Sequence, residues 1–168
     1  HLDTSNQSGK ENYSAILTEI GNLQATNQSF EKSIYYHKRS LAIRKNLDTS
    51  NLNVLALIAW SNNDIGFAYH GLKNEKKALE YYKKSLWFWN KITRKEAKYF
   101  DKVLTEIGKV YLNMGASYYI INKHNKAYAS YIKAYEIFQN KYEGQIDKRN
   151  QITEPFCNVI IAVVHFFV

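Results

Sequence analysis

Residues 62–89 read NNDIGFAYHGLKNEKKALEYYKKSLWFW, and two helical patterns meet within them. Before a break at 71–74, apolar residues recur at spacings of three, four and seven, namely Leu57, Ile58, Ile65, Ala68, Tyr69 and Leu72. After the break, a second apolar stripe has Lys and Glu residues opposite it, and consists of Ala78, Leu79, Tyr82, Leu86 and Trp89. Asn74 before Glu75 is typical of a helix N-cap. The stretch therefore predicts two amphipathic helices joined by a short turn.

The same pattern occurs three times along the chain. Residues 2–6 (LDTSN) recur letter for letter at 47–51, an offset of 45, and the same offset relates Gly21 to Gly66. A third copy follows at an offset of 49, which relates Gly66 to Gly115. Self-similarity at a fixed period is the signature of stacked repeats. We expect repeats near 10–46, 52–92 and 95–142, with helices near 10–26 and 29–46 in the first and near 95–121 and 124–142 in the third.

The composition agrees with long helices and excludes several other classes. Of 168 residues, 45% are hydrophobic and 15% aromatic, with one Pro, seven Gly and one Cys. The apolar and aromatic content argues against intrinsic disorder. A single cysteine excludes an internal disulfide framework and a cysteine-cluster metal site. Few Gly and Pro residues leave little turn material for a many-stranded β fold.

The spaced small and aromatic residues resemble the tetratricopeptide repeat (TPR) signature. The second copy carries it at Gly66, Tyr69, Ala78, Tyr82 and Ser85, and the third at Tyr111, Met114, Gly115, Tyr118, Ala127, Tyr131 and Ala134. The first copy keeps Gly21 but has Gln24, Ser33, His37 and Ser40 at the other positions. The resemblance covers roughly residues 1–142. It implies an all-α fold, a right-handed superhelical solenoid of antiparallel helix pairs spanning 1–168 as one segment.

The repeat period is longer than the minimal one of about 34 residues. The offsets of 45 and 49 imply extra helical turns in each repeat. In this respect the sequence is similar to kinesin light chains and to bacterial multi-repeat signalling proteins. After Pro155, residues 156–168 form a 13-residue largely apolar run. A membrane-spanning helix needs about 20 apolar residues, so 148–168 is expected to be a terminal or capping helix. The alternative is a membrane segment that continues beyond residue 168.

Motifs for catalysis are missing from the sequence. The five histidines are scattered, and the sequence contains no phosphate-binding glycine loop, no zinc-binding His or Cys pair and no nucleophile elbow. Cys157 lies in the apolar run near the end, where a buried thiol is expected to be inert. We expect no enzyme activity, no metal and no cofactor.

The resemblance implies a concave groove lined by the first helix of each repeat. Its groove positions, two, three and six residues before the repeat glycine and one after it, carry over to Glu19 and Asn22; to Trp60, Asn63, Asp64 and Phe67; and to Lys109, Leu112 and Asn113. Long-period members use a ladder of Asn residues, which can pair with an extended peptide backbone. In this sequence only Asn113 occupies the corresponding position, and Glu19 and Asp64 replace Asn in the other two copies. These two carboxylates favour a partner with some positive charge.

Two surface features invite other interpretations. Residues 73–102 hold ten Lys/Arg against four Asp/Glu, which indicates either a solvated face or a surface for a polyanion. Trp87 stands where Ala42 and Glu136 stand in the other copies, so it is a candidate exposed hot spot. Leu86, Phe88 and Trp89, by contrast, are expected to pack in the core.

The sequence thus predicts a non-catalytic protein- or peptide-binding scaffold that presents its groove to a partner. One alternative is a sensory TPR domain of a bacterial signalling protein bearing a kinase or a transcription regulator. A second is a polyanion binder that uses the basic 73–102 surface. Nucleic acid and membrane are not the expected partners, homodimerisation through exposed end repeats is an open possibility, and the expected location is the cytoplasm.

Overall fold

The computed structural model describes residues 6–95 and 100–142, and within them helices are the only regular structure. The six helices are α1 Gln7–Thr26, α2 Phe30–Lys45, α3 Leu52–Gly71, α4 Glu75–Lys95, α5 Phe100–Ile120 and α6 His124–Tyr142. The all-α prediction is confirmed. Helix α1 begins three residues earlier than expected, and α6 has the predicted bounds. The predicted terminal helix at 148–168 and Cys157 lie outside the described residues.

Asparagine side chains cap three of the helices. The Asn6 side chain accepts a hydrogen bond from the backbone N–H of Gly9 at 2.7 Å, and the Asn51 side chain accepts one from Asn53 at 2.9 Å. Asn74 accepts one from the backbone N–H of Lys77 at 3.3 Å. Each cap satisfies a backbone donor that the first turn of a helix leaves unpaired. The predicted N-cap at Asn74 is therefore confirmed.

In each helix pair, the residue at the same position of the turn has a left-handed backbone conformation. Gln28, Lys73 and Asn122 have φ of 57°, 58° and 58°, and their numbers differ by 45 and 49. In the second pair, the N–H groups of Lys73 and Asn74 donate to the carbonyls of His70 and Tyr69, both at 2.9 Å. These bonds satisfy carbonyls at the end of α3. The sequence predicts a break at 71–74, and the left-handed residue within it is Lys73.

Contacts divide the chain into two compact units, one spanning His1–Lys95 and the other Glu96–Val168. In the first unit, α1 packs on α2, α2 on α3, and α3 on α4; in the second, α5 packs on α6. Helices α1 and α2 run antiparallel, because Gly21 lies against His37 while Thr18, one turn earlier, meets Ser40 with a distance of 2.9 Å between their hydroxyl oxygens. The expected antiparallel helix pairs are confirmed.

The repeat glycine of each pair lies against a ring from the facing helix. A Cβ placed on Gly66 would be 2.6 Å from Cε1 of Tyr82, and one on Gly115 would be 2.6 Å from Cε1 of Tyr131. Tyr82 is 1% exposed, so this contact lies deep in the core. The absence of a side chain on the glycine lets the two helices close around the ring. Burial of the ring contributes roughly 2 kcal/mol or more to folding.

We expect Gly66→Ala to destabilise the fold by about 1–3 kcal/mol, because overpacking a core costs that much. The added methyl group would also lie 3.2 Å from the carbonyl oxygen of Ala78, which is backbone and cannot turn away. Urea unfolding followed by circular dichroism measures the change. Gly9→Ala, in the first turn of α1, is the matched control and is expected to be neutral or stabilising, because Ala is the better helix former. Equal stability of the wild type and Gly66→Ala would contradict this account of the helix pair.

Candidate ligand-binding face and cavity of the first unit

Six of the predicted groove residues lie on α1 and α3. Trp60, Asn63, Asp64 and Phe67 follow each other at helical spacings of three, one and three, so they share one face of α3. The rings of Trp60 and Phe67 are 42% and 47% exposed. We call this surface, together with the exposed Glu19 and Asn22 of α1, the α1/α3 face.

A cavity of about 270 Å³ opens on the α1/α3 face. Its lining comes from three helices and consists of Asn22, Ala25, Thr26, His37, Asp64 and Phe67. Three of these residues were predicted for the groove from the sequence, namely Asn22, Asp64 and Phe67. The structure therefore brings residues from two separate repeats to one concave site. Sites for drug-sized ligands span about 300–1,000 Å³, so this smaller cavity suits a single side chain.

Ala25, Thr26 and His37 line the cavity without having been predicted for the groove. Of these, His37 carries the ionisable group. It occupies the position that Tyr82 and Tyr131 hold in the other pairs, and a Cβ on Gly21 would lie 2.8 Å from its Cε1 atom. The imidazole is smaller than a phenol ring, so it fills less of the space between the helices. The signal was present in the sequence as a departure from the signature aromatic residue.

Burial fixes the protonation state of His37. Its side chain is 1% exposed, and its Nδ1 atom has no hydrogen-bond partner among the described residues. Burial, followed by the positive charge of Arg44, lowers the pKa of His37 to about 4. The ring is therefore neutral near pH 7, with one nitrogen that donates and one that accepts.

Arg44 lies beneath this site and ties α2 to both neighbouring helices. It is 3% exposed. Its guanidinium donates to Ser61 Oγ at 2.7 Å, to the Leu57 carbonyl at 3.1 Å and to Ser14 Oγ at 3.3 Å. Burial lowers the pKa of Arg44, and the nearby carboxylate of Asp64 opposes that shift. Asp64 thus serves as the counter-charge of a buried cation as well as lining the cavity.

The α1/α3 face carries little positive charge. The charged residues of α1 and α3 are Lys10, Glu11, Glu19 and Asp64. Glu19 stands one helical turn before Asn22, which lines the cavity. A positively charged group that approaches this face meets the carboxylates of Glu19 and Asp64.

The remaining groove residues lie on α5, in the second unit. Lys109 is exposed, and its Nζ atom lies 2.9 Å from the carboxylate of Glu106. Leu112 is partly buried and packs against Ala134 and Phe138 of the core. Asn113 is half-buried. A groove continuous through all three copies stays a prediction.

The two tryptophans of α4 have different surroundings. Trp87 is 59% exposed, with its ring centroid 4.7 Å from that of Phe88. Trp89 is 2% exposed and meets the ring of Trp60 edge-on at 5.3 Å. The burial predicted for Trp89 agrees with this, and a binding role for Trp87 stays a prediction. Leu86 and Phe88, expected in the core, are half-buried.

Neither a metal cluster nor a membrane-spanning helix is found in the described part of the chain. Among residues 6–95 and 100–142, no three His, Cys, Asp or Glu side chains are grouped so that they could hold a metal ion. In the same residues, no helix combines the length and the apolar character needed to cross a bilayer.

The titration of His37 predicts how stability depends on pH. Its folded pKa of about 4 lies below the ordinary value of 6.5, so between these values the unfolded chain binds a proton that the folded chain does not. The free energy of unfolding therefore falls as the pH falls from 6.5 to 4, by about 3 kcal/mol from this group. The His37→Phe variant lacks the titrating group, so between pH 6.5 and 4 it should lose about 3 kcal/mol less stability than the wild type. A His37→Phe variant that loses as much stability as the wild type between pH 6.5 and 4 would contradict this account of the site.

Comparison with known proteins identifies the fold but not a family. No protein-family model matches the chain, and no curated protein matches it. Among solved structures, the apo form of RapI, a helical-repeat protein, aligns with 96% of this chain at a TM-score of 0.65 and 17% identity. The chain spans 44% of the length of RapI. At this identity the likeness concerns the fold alone: the chain is an all-α protein of helical-repeat type.

Proposed function

We propose that the chain is a TPR-type scaffold that binds a peptide or protein segment on its α1/α3 face without catalysing a reaction. The cavity beside His37 is the observation that carries this proposal, because it joins residues of two repeats at one concave site. Rigid helices hold the lining in place, so little conformational entropy is lost on binding. The likeness to RapI, solved in an apo form, supports a fold that can hold a ligand.

The lining fits one side chain of the bound segment. Asn22 and Asp64 offer oxygen acceptors, and the neutral, buried ring of His37 forms part of the wall without adding positive charge. Phe67 adds an exposed ring at the edge. An aromatic face attracts a cation as well as apolar groups. The chemistry therefore favours a Lys or Arg side chain, with Glu19 available to a second basic residue of the segment.

A sensory role is the second candidate, and the position of Asp64 favours it. Asp64 balances the charge of Arg44, and Arg44 bridges α1, α2 and α3. A ligand cation that pairs with Asp64 competes with Arg44 for the same carboxylate. Binding would thereby be coupled to the packing of three helices, which is what a ligand-responsive domain requires.

Arrays of short peptides of equal length, with basic, neutral or acidic composition, test the proposal. We expect the chain to retain basic peptides, and Asp64→Asn to weaken the best binder by at least about 10-fold in isothermal titration calorimetry, since charge-assisted hydrogen bonds are the stronger ones. Glu19→Gln should weaken it less, because Glu19 is exposed. The matched control is Glu11→Gln, whose carboxylate accepts a hydrogen bond from Gln7 on the same helix. Retention of acidic peptides, or equal losses for Asp64→Asn and Glu11→Gln, would rule the proposal out.

A variant that fills the cavity distinguishes peptide binding in the cavity from peptide binding elsewhere on the α1/α3 face. His37→Tyr restores the residue that the other two pairs have at this position, so we expect no loss of stability. The larger ring should occupy part of the cavity and reduce peptide affinity by about 10-fold or more, since losing one buried side-chain contact costs upwards of about 1.4 kcal/mol. Thermal unfolding and calorimetry on the same sample measure both effects. Unchanged affinity in a folded variant would move the binding site away from the cavity.

A further inference from the structure

Charge in the first unit is divided between its two sets of helices. Helices α1 and α3 contain one Lys and three Asp/Glu residues, whereas α2 and α4 contain twelve Lys/Arg and three Asp/Glu. Ten of those twelve cations are exposed, and the one that is fully buried is Arg44. The second helices of the first two repeats therefore carry a net charge of +9, which exceeds the +8 of the whole chain.

Three lysines of this set surround two stacked tyrosines where α2, α3 and α4 meet. The rings of Tyr69 and Tyr81 stack with their centroids 5.5 Å apart. The Lys38 Nζ atom donates to the Tyr69 hydroxyl at 2.9 Å, and Lys77 Nζ lies 5.2 Å from the centroid of the Tyr69 ring. Lys84 Nζ lies 4.6 Å from the centroid of the Tyr81 ring. Cation–π contacts hold the three ammonium groups close together before any ligand arrives.

One carboxylate lies among these three lysines, and it does not balance them. Glu80 pairs with Lys84, which is the main reason that its pKa is lowered, and Lys77 and Lys38 contribute smaller effects. The hydrogen bond to Tyr69 raises the pKa of Lys38, so its charge is retained. The cluster therefore keeps an excess of positive charge at one place on the surface. Positive charges gathered on one part of the surface repel each other, and a bound anion reduces that repulsion.

Exposed aromatic rings stand among the cations of the same helices. Tyr35 of α2 is 56% exposed, with the Arg39 guanidinium 5.6 Å from its ring centroid. Trp87 of α4 is 59% exposed, with Lys91 Nζ 5.3 Å from its ring centroid. In both cases the exposed ring lies beside a cation of its own helix. Rings and cations in alternation are what single-stranded nucleic acids need, since bases stack and phosphates pair.

We propose that the surface formed by α2 and α4, centred on Lys38, Lys77 and Lys84 and flanked by Tyr35 and Trp87, binds single-stranded nucleic acid without sequence specificity. Lysine dominates this surface, and an ammonium group contacts a phosphate as a point charge without reading bases. An acidic polypeptide would use the cations but would gain little from the exposed rings. This surface belongs to helices other than the α1/α3 face, so the inference does not depend on the proposed peptide binding.

Fluorescence anisotropy with a labelled oligothymidine of about 20 nucleotides tests the inference. With about five phosphates paired, affinity should fall roughly 100-fold between about 50 and 200 mM salt. The double variant Lys77→Glu/Lys84→Glu should bind at least about 10-fold more weakly and reduce the slope of log K against log salt by about 1.4. Tyr35→Ala and Trp87→Ala should each weaken binding by about 10-fold.

The control is Lys123→Glu/Lys126→Glu, which makes the same change in net charge at two exposed lysines, one in the α5–α6 turn and one in the first turn of α6. It should bind within about 3-fold of the wild type, because neither lysine belongs to the proposed surface of α2 and α4 and salt weakens the general effect of net charge. Circular dichroism confirms that each variant is folded. Equal weakening by both double variants would overturn the inference in favour of general charge attraction. Unchanged binding by the aromatic variants, with equal competition by polyglutamate, would overturn it in favour of an acidic polypeptide.

Discussion

The contact between a glycine on one helix and a ring on the next holds each helix pair together. At Gly66 and Gly115 the ring belongs to a tyrosine, and any Cβ would meet it at 2.6 Å. That contact sets the distance between paired helices, and a small residue such as Ala78, which is 0% exposed, allows the same close approach from the other side. The remaining features of the first unit follow from how this contact varies between copies.

In the first pair, His37 takes the place of the tyrosine that contacts the repeat glycine in the other two pairs. A cavity of about 270 Å³ opens beside His37 and is lined by residues of three helices. The neutral imidazole, together with Asp64 and Asn22, then gives the cavity a polar lining. A departure from the repeat pattern is thus also the place where the unit offers a concave site. Departures from a repeat consensus are therefore useful places to look for binding residues.

Much of the fold could be predicted from spacing alone. The offsets of 45 and 49 predict the helix pairs, and the turn residues Gln28, Lys73 and Asn122 repeat at those offsets. Asn22, Asp64 and Phe67 were predicted for the groove by resemblance, and the structure brings them to one cavity. The cavity itself could not be predicted, because its volume depends on side-chain packing across three helices. The stacking of Tyr69 on Tyr81 was equally hidden, since the two residues belong to different helices and packing alone decides their contact.

Arg44 has a consequence for how the helices assemble. Trp89 and Phe138 stand at the corresponding positions of the other pairs, and both are buried, so either would pack against any apolar neighbour. The guanidinium of Arg44 instead finds its acceptors on Ser14, Leu57 and Ser61, which belong to the two adjacent helices. In a chain of similar repeats, a helix can pack during folding in the place of the corresponding helix of another repeat. A misplaced α2 would leave a buried cation without acceptors, at a cost of several kcal/mol. One polar residue thereby distinguishes the correct order of the helices from a shifted one.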